Sequence, residues 1–434
     1  MSADEAGTPQ PRRSAKASLR SGVIWNLGSL AFLAAVGFIL NVIIGRIYGP
    51  EALGVFNISY SIFIFCAQIA SFGVHFSVLQ TVSRLADGDQ TELDAAAISG
   101  LWTTAVIALA VTLVAIACTP LFGRIFQSVE HLAAAWLALA PALLPLSINK
   151  TLMNIVNGAN HMRTFAVLQS ARYVAMMISL IVFMSAGWPS HMLAVIITIS
   201  EFSLLLLTIP CANRVVNLRS QFHKGWARRH MSFGLRGAFA GAVTELNTRI
   251  DVIVIGAIMS ERWAGIYSVA LLAFEGASQV IVAIRYNLNP RLTKFVAERA
   301  VDDFRSFARR VIFMMTLLMF AVSAAAAIAY PFFVEWIMGD ASYMAAFPAL
   351  CIMLAAQTVT SGFVAMNMLL IQGNKPGAQS MYMVLVLAAN LIGNILLVPI
   401  YGMSGAAIAT GISFVVSAVA LAVLARKHFG LSFL

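Results

Sequence analysis

Twelve long apolar stretches, cut apart by short polar loops, occupy almost the whole of this 434-residue chain. A bilayer core is about 30 Å thick, so a helix needs roughly 20 apolar residues to cross it. Inside lipid only helices and closed barrels satisfy every backbone polar group, and stretches this long are helical. The spans read at about 22–46, 53–83, 96–122, 132–157, 164–187, 190–212, 236–259, 263–288, 308–334, 344–372, 378–400 and 403–425. Charged residues make up 11% of the chain, against about 25% in a typical soluble domain. The expected fold class is an all-α polytopic membrane protein with 12 transmembrane helices.

A net charge of +10 raises the possibility of a nucleic-acid partner, and the placement of the charge argues against it. Lys and Arg gather at Arg12 to Arg20, Arg214 to Arg236, Arg291 to Arg310 and Arg426 to Lys427. All of these fall on one side if twelve helices alternate, whereas the other side holds Arg46, Arg124 and Arg262. By the positive-inside rule both termini are then cytoplasmic, in a multi-pass protein of the cell's inner (cytoplasmic) membrane. The expected division is a disordered cytoplasmic tail over 1–21, a six-helix lobe over 22–212, a basic cytoplasmic linker over 213–235 lying on anionic headgroups, a second six-helix lobe over 236–426, and a cytoplasmic tail over 427–434. Cys66, Cys118, Cys211 and Cys351 have no CxxC spacing and read as packing residues, with no disulfide and no metal. No Walker A loop, GxSxG, HExxH or GxGxxG occurs, so neither a cofactor nor an enzymatic activity is expected.

The chain also repeats itself. At an offset of about 211 residues, GRIYGPEALGVFNIS from Gly45 matches GAIMSERWAGIYSVA from Gly256, pairing Gly54 with Gly265. A similar offset sets Gly158-Ala-Asn160 against Gln372-Gly-Asn374. Six helices per half is an even number, so both halves enter the bilayer in the same sense. They form parallel repeats about a pseudo-two-fold axis along the membrane normal, with a path at their interface.

Charges inside spans cost about 2.5–3.5 kcal/mol each on insertion scales and are kept where they face a cavity or a partner. They are Lys150, Arg172, Glu201, Glu245, Arg249, Asp251, Glu275 and Arg285. On the seventh helix Glu245 and Arg249 share one face, and Asn247 and Asp251 another. Arg172 and Glu201 lie at comparable depth and can simply pair. Asn57, Gln68 and His75 form one stripe at about 100° per residue, and the repeat maps them onto Ser268, Gln279 and Tyr286. Matched stripes suit a shared central cavity, although polar residues that glue helices together would look similar. Arginines in that cavity suit an anionic head group. The carboxylates beside them either carry a proton or sodium ion or neutralise the arginines, and both readings stand.

The segment GRIYGPEALGVFNISYSIFIFCAQIASFGVHFSVLQTVSR and the segment ELNTRIDVIVIGAIMSERWAGIYSVALLAFEG resemble polysaccharide-repeat (O-antigen or exopolysaccharide) flippases of the multidrug/oligosaccharidyl-lipid/polysaccharide exporter superfamily. The resemblance covers about residues 18–428. It implies a V-shaped, MATE-like pair of six-helix lobes that alternate in access and move an undecaprenyl-diphosphate-type lipid-linked oligosaccharide across the membrane. It further implies membrane lipids, a polysaccharide polymerase and a chain-length regulator as partners. Arg249 and Asp251 match the family's Arg-x-Asp pair, and Arg46 and Gly54 its first-hairpin pattern. Arg249 and Arg285 become the candidates for the diphosphate.

A cation-coupled multidrug antiporter of the same superfamily is the competing reading. Such antiporters often keep an acid on the first or tenth helix; the first span here has none, and the tenth offers only Gln357 and Asn367. A membrane polymerase or glycosyltransferase would need long external loops, and the loops here are short.

Overall fold

The computed structural model describes residues 12–86, 88–298 and 301–433, and among them every regular element is helical. In chain order these are α1 (Arg12–Ser71), α2 (Val74–Leu85), α3 (Gln90–Ala117), α4 (Thr119–Ile125), α5 (Leu132–Leu139), α6 (Leu143–Gly158) and α7 (Met162–Ser185). There follow α8 (Val195–Asn213), α9 (Lys224–Ile258), α10 (Glu261–Glu298), α11 (Val301–Phe332), α12 (Phe347–Ala365), α13 (Leu369–Gln372) and α14 (Pro376–Phe429). Nine helical stretches among the described residues are long and apolar enough to cross a membrane. The protein is a multi-pass membrane protein.

Two of these stretches are hairpins. Gly49 has φ 83° and ψ 178° inside α1, and Gly402 has φ 57° inside α14. Left-handed backbone of this kind favours glycine. The Asn57 amide donates to Asn41 Oδ1 at 3.1 Å although 16 residues separate them, whereas 16 residues of straight helix span about 24 Å. The chain therefore reverses at Gly49, and Pro50 opens the returning arm, where its missing N–H is harmless. In α14 a Cβ on Gly393 would meet that of Ala409, again 16 residues on.

Repeat-matched glycines face one another at the hairpin end. A Cβ on Gly54 would stand 1.8 Å from the Glu261 oxygen, and one on Gly265 would stand 1.9 Å from the Pro50 oxygen. Each glycine thus lies against the carbonyl four residues before its partner, the reciprocal contact of a pseudo-two-fold pair. Around them the Arg46 guanidinium donates to the backbone oxygens of Trp336 (3.3 Å) and Ile337 (2.7 Å). The Tyr343 hydroxyl donates to the Gly45 oxygen at 2.9 Å, and Arg262 pairs with Glu51. This end, called here the Pro50 face, is closed. The opposite end, carrying most of the basic residues, is the basic face.

Helix α9 joins the two halves. It packs on α14 and also along α1, α2 and α3. Gly234 lies where a Cβ would meet the Phe72 oxygen at 2.2 Å, close to the break between α1 and α2 at Phe72 (φ 46°) and Gly73 (φ 65°). His230 is fully buried between its ring partners: Ser77 Oγ at 2.8 Å from Nδ1 and the Ala96 oxygen at 3.1 Å from Nε2. The carbonyl accepts from Nε2–H, which leaves Nδ1 to accept from the Ser77 hydroxyl.

Three boundaries differ from the sequence reading. Residues 1–11 of the expected tail lie outside the described residues, but Arg12 to Ser21 form the first turns of α1, an Ala/Lys/Arg-containing run of good helix formers. The expected linker is irregular only up to His223, after which α9 begins and docks through His230. The last residues are no free tail: Gly430 (φ 70°) ends α14, and Leu431 and Phe433 turn back, 0% and 2% exposed, into a core with Phe304. All four cysteines are free.

Candidate functional site

A cavity of about 340 Å³ lies where the α1 hairpin, α7, α9 and α10 meet. Both members of the repeat contribute: Asn41, Asn57 and Tyr60 from α1, and Ser268, Glu275 and Gln279 from α10. Tyr173 on α7 and Arg249 on α9 complete its polar wall.

Arg249 is the centre of the site. One of its terminal nitrogens lies 3.5 Å from Glu275 Oε1, with the two side chains 27% and 38% exposed. Its guanidinium carbon also sits 5.9 Å from the centre of the Tyr60 ring. The ion pair is long and partly open, so the guanidinium retains donors for an incoming anion. The aromatic face adds cation–π attraction without consuming any of those donors. One helical turn earlier, Glu245 Oε1 accepts from the Gln68 amide at 3.2 Å, a bond that joins α9 to the first half.

Asp251, two residues beyond Arg249, points elsewhere, because two residues are about 200° of helix. It is 6% exposed and lies outside the cavity, a correction to its expected place there. Its carboxylate accepts from Tyr267 (3.0 Å), Asn394 (2.9 Å) and Thr410 (2.6 Å). Asn390, bonded to Asn394 at 3.0 Å, is beside it. Three neutral donors thus occupy acceptor positions on the buried carboxylate. The carboxylate and the Thr410 hydroxyl present oxygens of the kind hard cations prefer, whereas Asn394 turns its amide nitrogen to Asp251.

Other expected cavity residues fall elsewhere. Arg172 Nε bonds Glu201 Oε1 at 2.8 Å, and Glu201 is 2% exposed. Asn149 donates to the same carboxylate at 2.9 Å and accepts from Thr208 at 2.7 Å. The pairing considered from sequence is what forms, and Arg172 does not line the cavity. Lys150 is half-buried, makes no ion pair among the described residues, and is also off the lining. Arg46 clasps helix-end carbonyls at the Pro50 face, where a cation complements the end of a helix dipole.

The matched stripes separate along their length. Asn57, Ser268 and Gln279 line the cavity, Gln68 is held by Glu245, His75 is buried at 6%, and Tyr286 is 73% exposed. Arg285 is half-buried with its Nε unpartnered and lies beyond the cavity lining. Sequence reasoning missed Tyr60, Tyr173, Asn390, Asn394 and Thr410. Tyr60 was findable as the residue one turn after Asn57. The Asn390/Asn394 pair, four apart on one helix face, was the overlooked signal for the Asp251 cluster.

This helical arrangement is shared with solved transporters. A multidrug resistance MATE family transporter of the MOP superfamily, in its inward-facing conformation, superposes with TM-score 0.75 at 14% identity, over 93% of this chain and 94% of that one. Lipid II flippase MurJ in an inward closed conformation superposes with TM-score 0.69 at 14% identity, over 93% and 87%. At such identities the likeness establishes the MATE-like fold. Comparison with curated protein sequences gives no match. The family described as polysaccharide biosynthesis protein matches residues 19–295, which hold every residue of the cavity wall. The chain belongs to that family.

Proposed function

We propose that the protein is a flippase that moves a polyprenyl-diphosphate-linked oligosaccharide between leaflets by alternating access. The observation that carries this reading is the half-exposed Arg249–Glu275 pair in a cavity walled by both repeats, in a chain of the polysaccharide biosynthesis family. An anionic diphosphate competes with Glu275 for Arg249, whose planar fork matches two phosphate oxygens. The prenyl tail stays in lipid. Twelve crossings follow if the two hairpins are each counted twice and α9 is added. The basic face is then cytoplasmic with both termini, in the inner membrane, and the closed Pro50 face is external.

A cavity of 340 Å³ is at the low end of small-ligand sites. A repeat of several sugars exceeds it, so loading requires the halves to part further on the basic side. The same small size favours the second reading, a cation-coupled drug antiporter. Deletion of the gene in its host separates the two. Accumulation of complete lipid-linked repeats on the inner leaflet, rescued by the wild-type gene but not by Arg249→Ala, supports the flippase. Unchanged surface polysaccharide with altered sensitivity to cationic drugs overturns it in favour of the antiporter.

A further inference from the structure

A second concavity, of about 570 Å³, runs between α10 and α11 on the basic-face half. Its shaft is apolar: Ile284 and Leu288 from α10, and Met314, Met315 and Leu318 from α11. Its mouth is formed by Arg291 and Arg310, with the Ser306 hydroxyl beside them. From Arg310 at the mouth to Leu318 is eight residues, roughly 12 Å of helix, most of the roughly 15 Å depth of one leaflet's hydrocarbon. Met314 is 61% and Leu318 39% exposed.

The groove does not belong to the cavity. Counting 100° per residue, Leu288 is about 180° and Ile284 about 140° around α10 from cavity-lining Gln279. A ligand whose head lies at Arg249 therefore cannot also place phosphates at this mouth. Both arginines are exposed and neither makes an ion pair among the described residues. Arg291 instead has its guanidinium carbon 5.9 Å from the centre of the Phe307 ring, a contact that uses none of its N–H donors.

We infer that this groove is a binding site for an anionic phospholipid of the basic-face leaflet, its phosphate held between Arg291 and Arg310 and one acyl chain laid along Met314, Met315 and Leu318. Two guanidinium groups with no ion pair among the described residues, above an apolar channel most of a leaflet deep, complement one negative headgroup and one chain. The site straddles Pro290 of α10, where the ring removes an intrahelical hydrogen bond, so an occupant ties that segment to α11.

The test uses the full chain in micelles holding equal phosphatidylglycerol and phosphatidylcholine of matched chains, with native mass spectrometry of the last lipid retained. The wild type is expected to prefer phosphatidylglycerol by roughly tenfold. R291Q/R310Q should bring that ratio close to one. M314W keeps both charges but fills the channel, and should lower retention of either lipid about fivefold. R305Q, on the same helix but off the lining, should change neither. Equal retention of the two lipids by the wild type, a preference surviving R291Q/R310Q, or wild-type retention by M314W overturns the assignment. If R291Q/R310Q does not fold, M314W alone decides it.

Discussion

The two halves of the molecule spend their intramembrane charges in opposite ways. In the first half, Arg172, Glu201, Asn149 and Thr208 close on one another, and the carboxylate at their centre is 2% exposed. In the second, Arg249 and Glu275 meet loosely at a cavity wall, 27% and 38% exposed. Asp251 is dry like Glu201, but neutral donors surround it and among the described residues no cation pairs with it. A closed knot holds helices together, because removing either partner strands a buried charge. An open pair is available to a ligand. The difference teaches that the two halves of a repeated architecture have diverged, one closing its charges into a buried knot and the other leaving an ion pair at the cavity wall.

The strongest way to break that contrast is at the knot. Arg172→Ala leaves Glu201 buried and unpaired, and we expect a loss of about 3–5 kcal/mol of stability, read as collapse of the monodisperse fraction in detergent. A variant that survives with wild-type thermal stability would show that the knot is not structural. Arg249→Ala should behave oppositely: stability within about 1 kcal/mol of wild type, and transport reduced about a hundredfold, equivalent to about 2.7 kcal/mol. Lipid-linked oligosaccharide transport in proteoliposomes measures the latter, and equal loss in both assays would erase the distinction.

Asp251→Asn sharpens the comparison. It keeps the shape but sets an amide donor against the Tyr267, Asn394 and Thr410 donors, at an expected cost of about 1–3 kcal/mol. If the carboxylate also serves coupling, transport driven by an imposed ion gradient falls further than stability does. A transport rate unchanged by the substitution removes Asp251 from the mechanism.

His230 offers a titratable contact between α9 and the first half, ahead of the apolar run that starts near 236. Burial pushes its imidazole below the ordinary value, with Arg229 acting the same way and the Ala96 carbonyl opposing. The unfolded state then binds more protons, so the contribution is complete above about pH 6.5 and declines as pH falls below it. Hydrogen-exchange protection factors over residues 224–235, taken relative to the intrinsic rate at each pH, should fall between pH 6.5 and 5.5, and His230→Gln should remove that dependence. The smallest effect belongs to Glu51→Gln. Glu51 and Arg262 are each 49% exposed, and such surface pairs contribute at most about 1 kcal/mol. A larger loss in thermal melting would mark the Pro50-face closure as more dependent on charge than its geometry indicates.

Much of this was legible in the residues. Apolar run length determined the helices and the membrane, since burial in lipid is a local property of about 20 consecutive side chains. The repeat pointed to Gly54 and Gly265 as equivalent, and helical periodicity separated Glu245 and Arg249 from Asn247 and Asp251. Periodicity says which residues share a face and is silent on what that face meets. Only the tertiary structure turned the Arg249 face to the cavity and the Asp251 face to α14. It alone brought Arg46 to carbonyls some 290 positions away and folded Phe433 back onto Phe304. The physical reason is that hydropathy and spacing act along a few turns of chain, whereas a partner for a buried charge comes from whatever helix the packing places beside it.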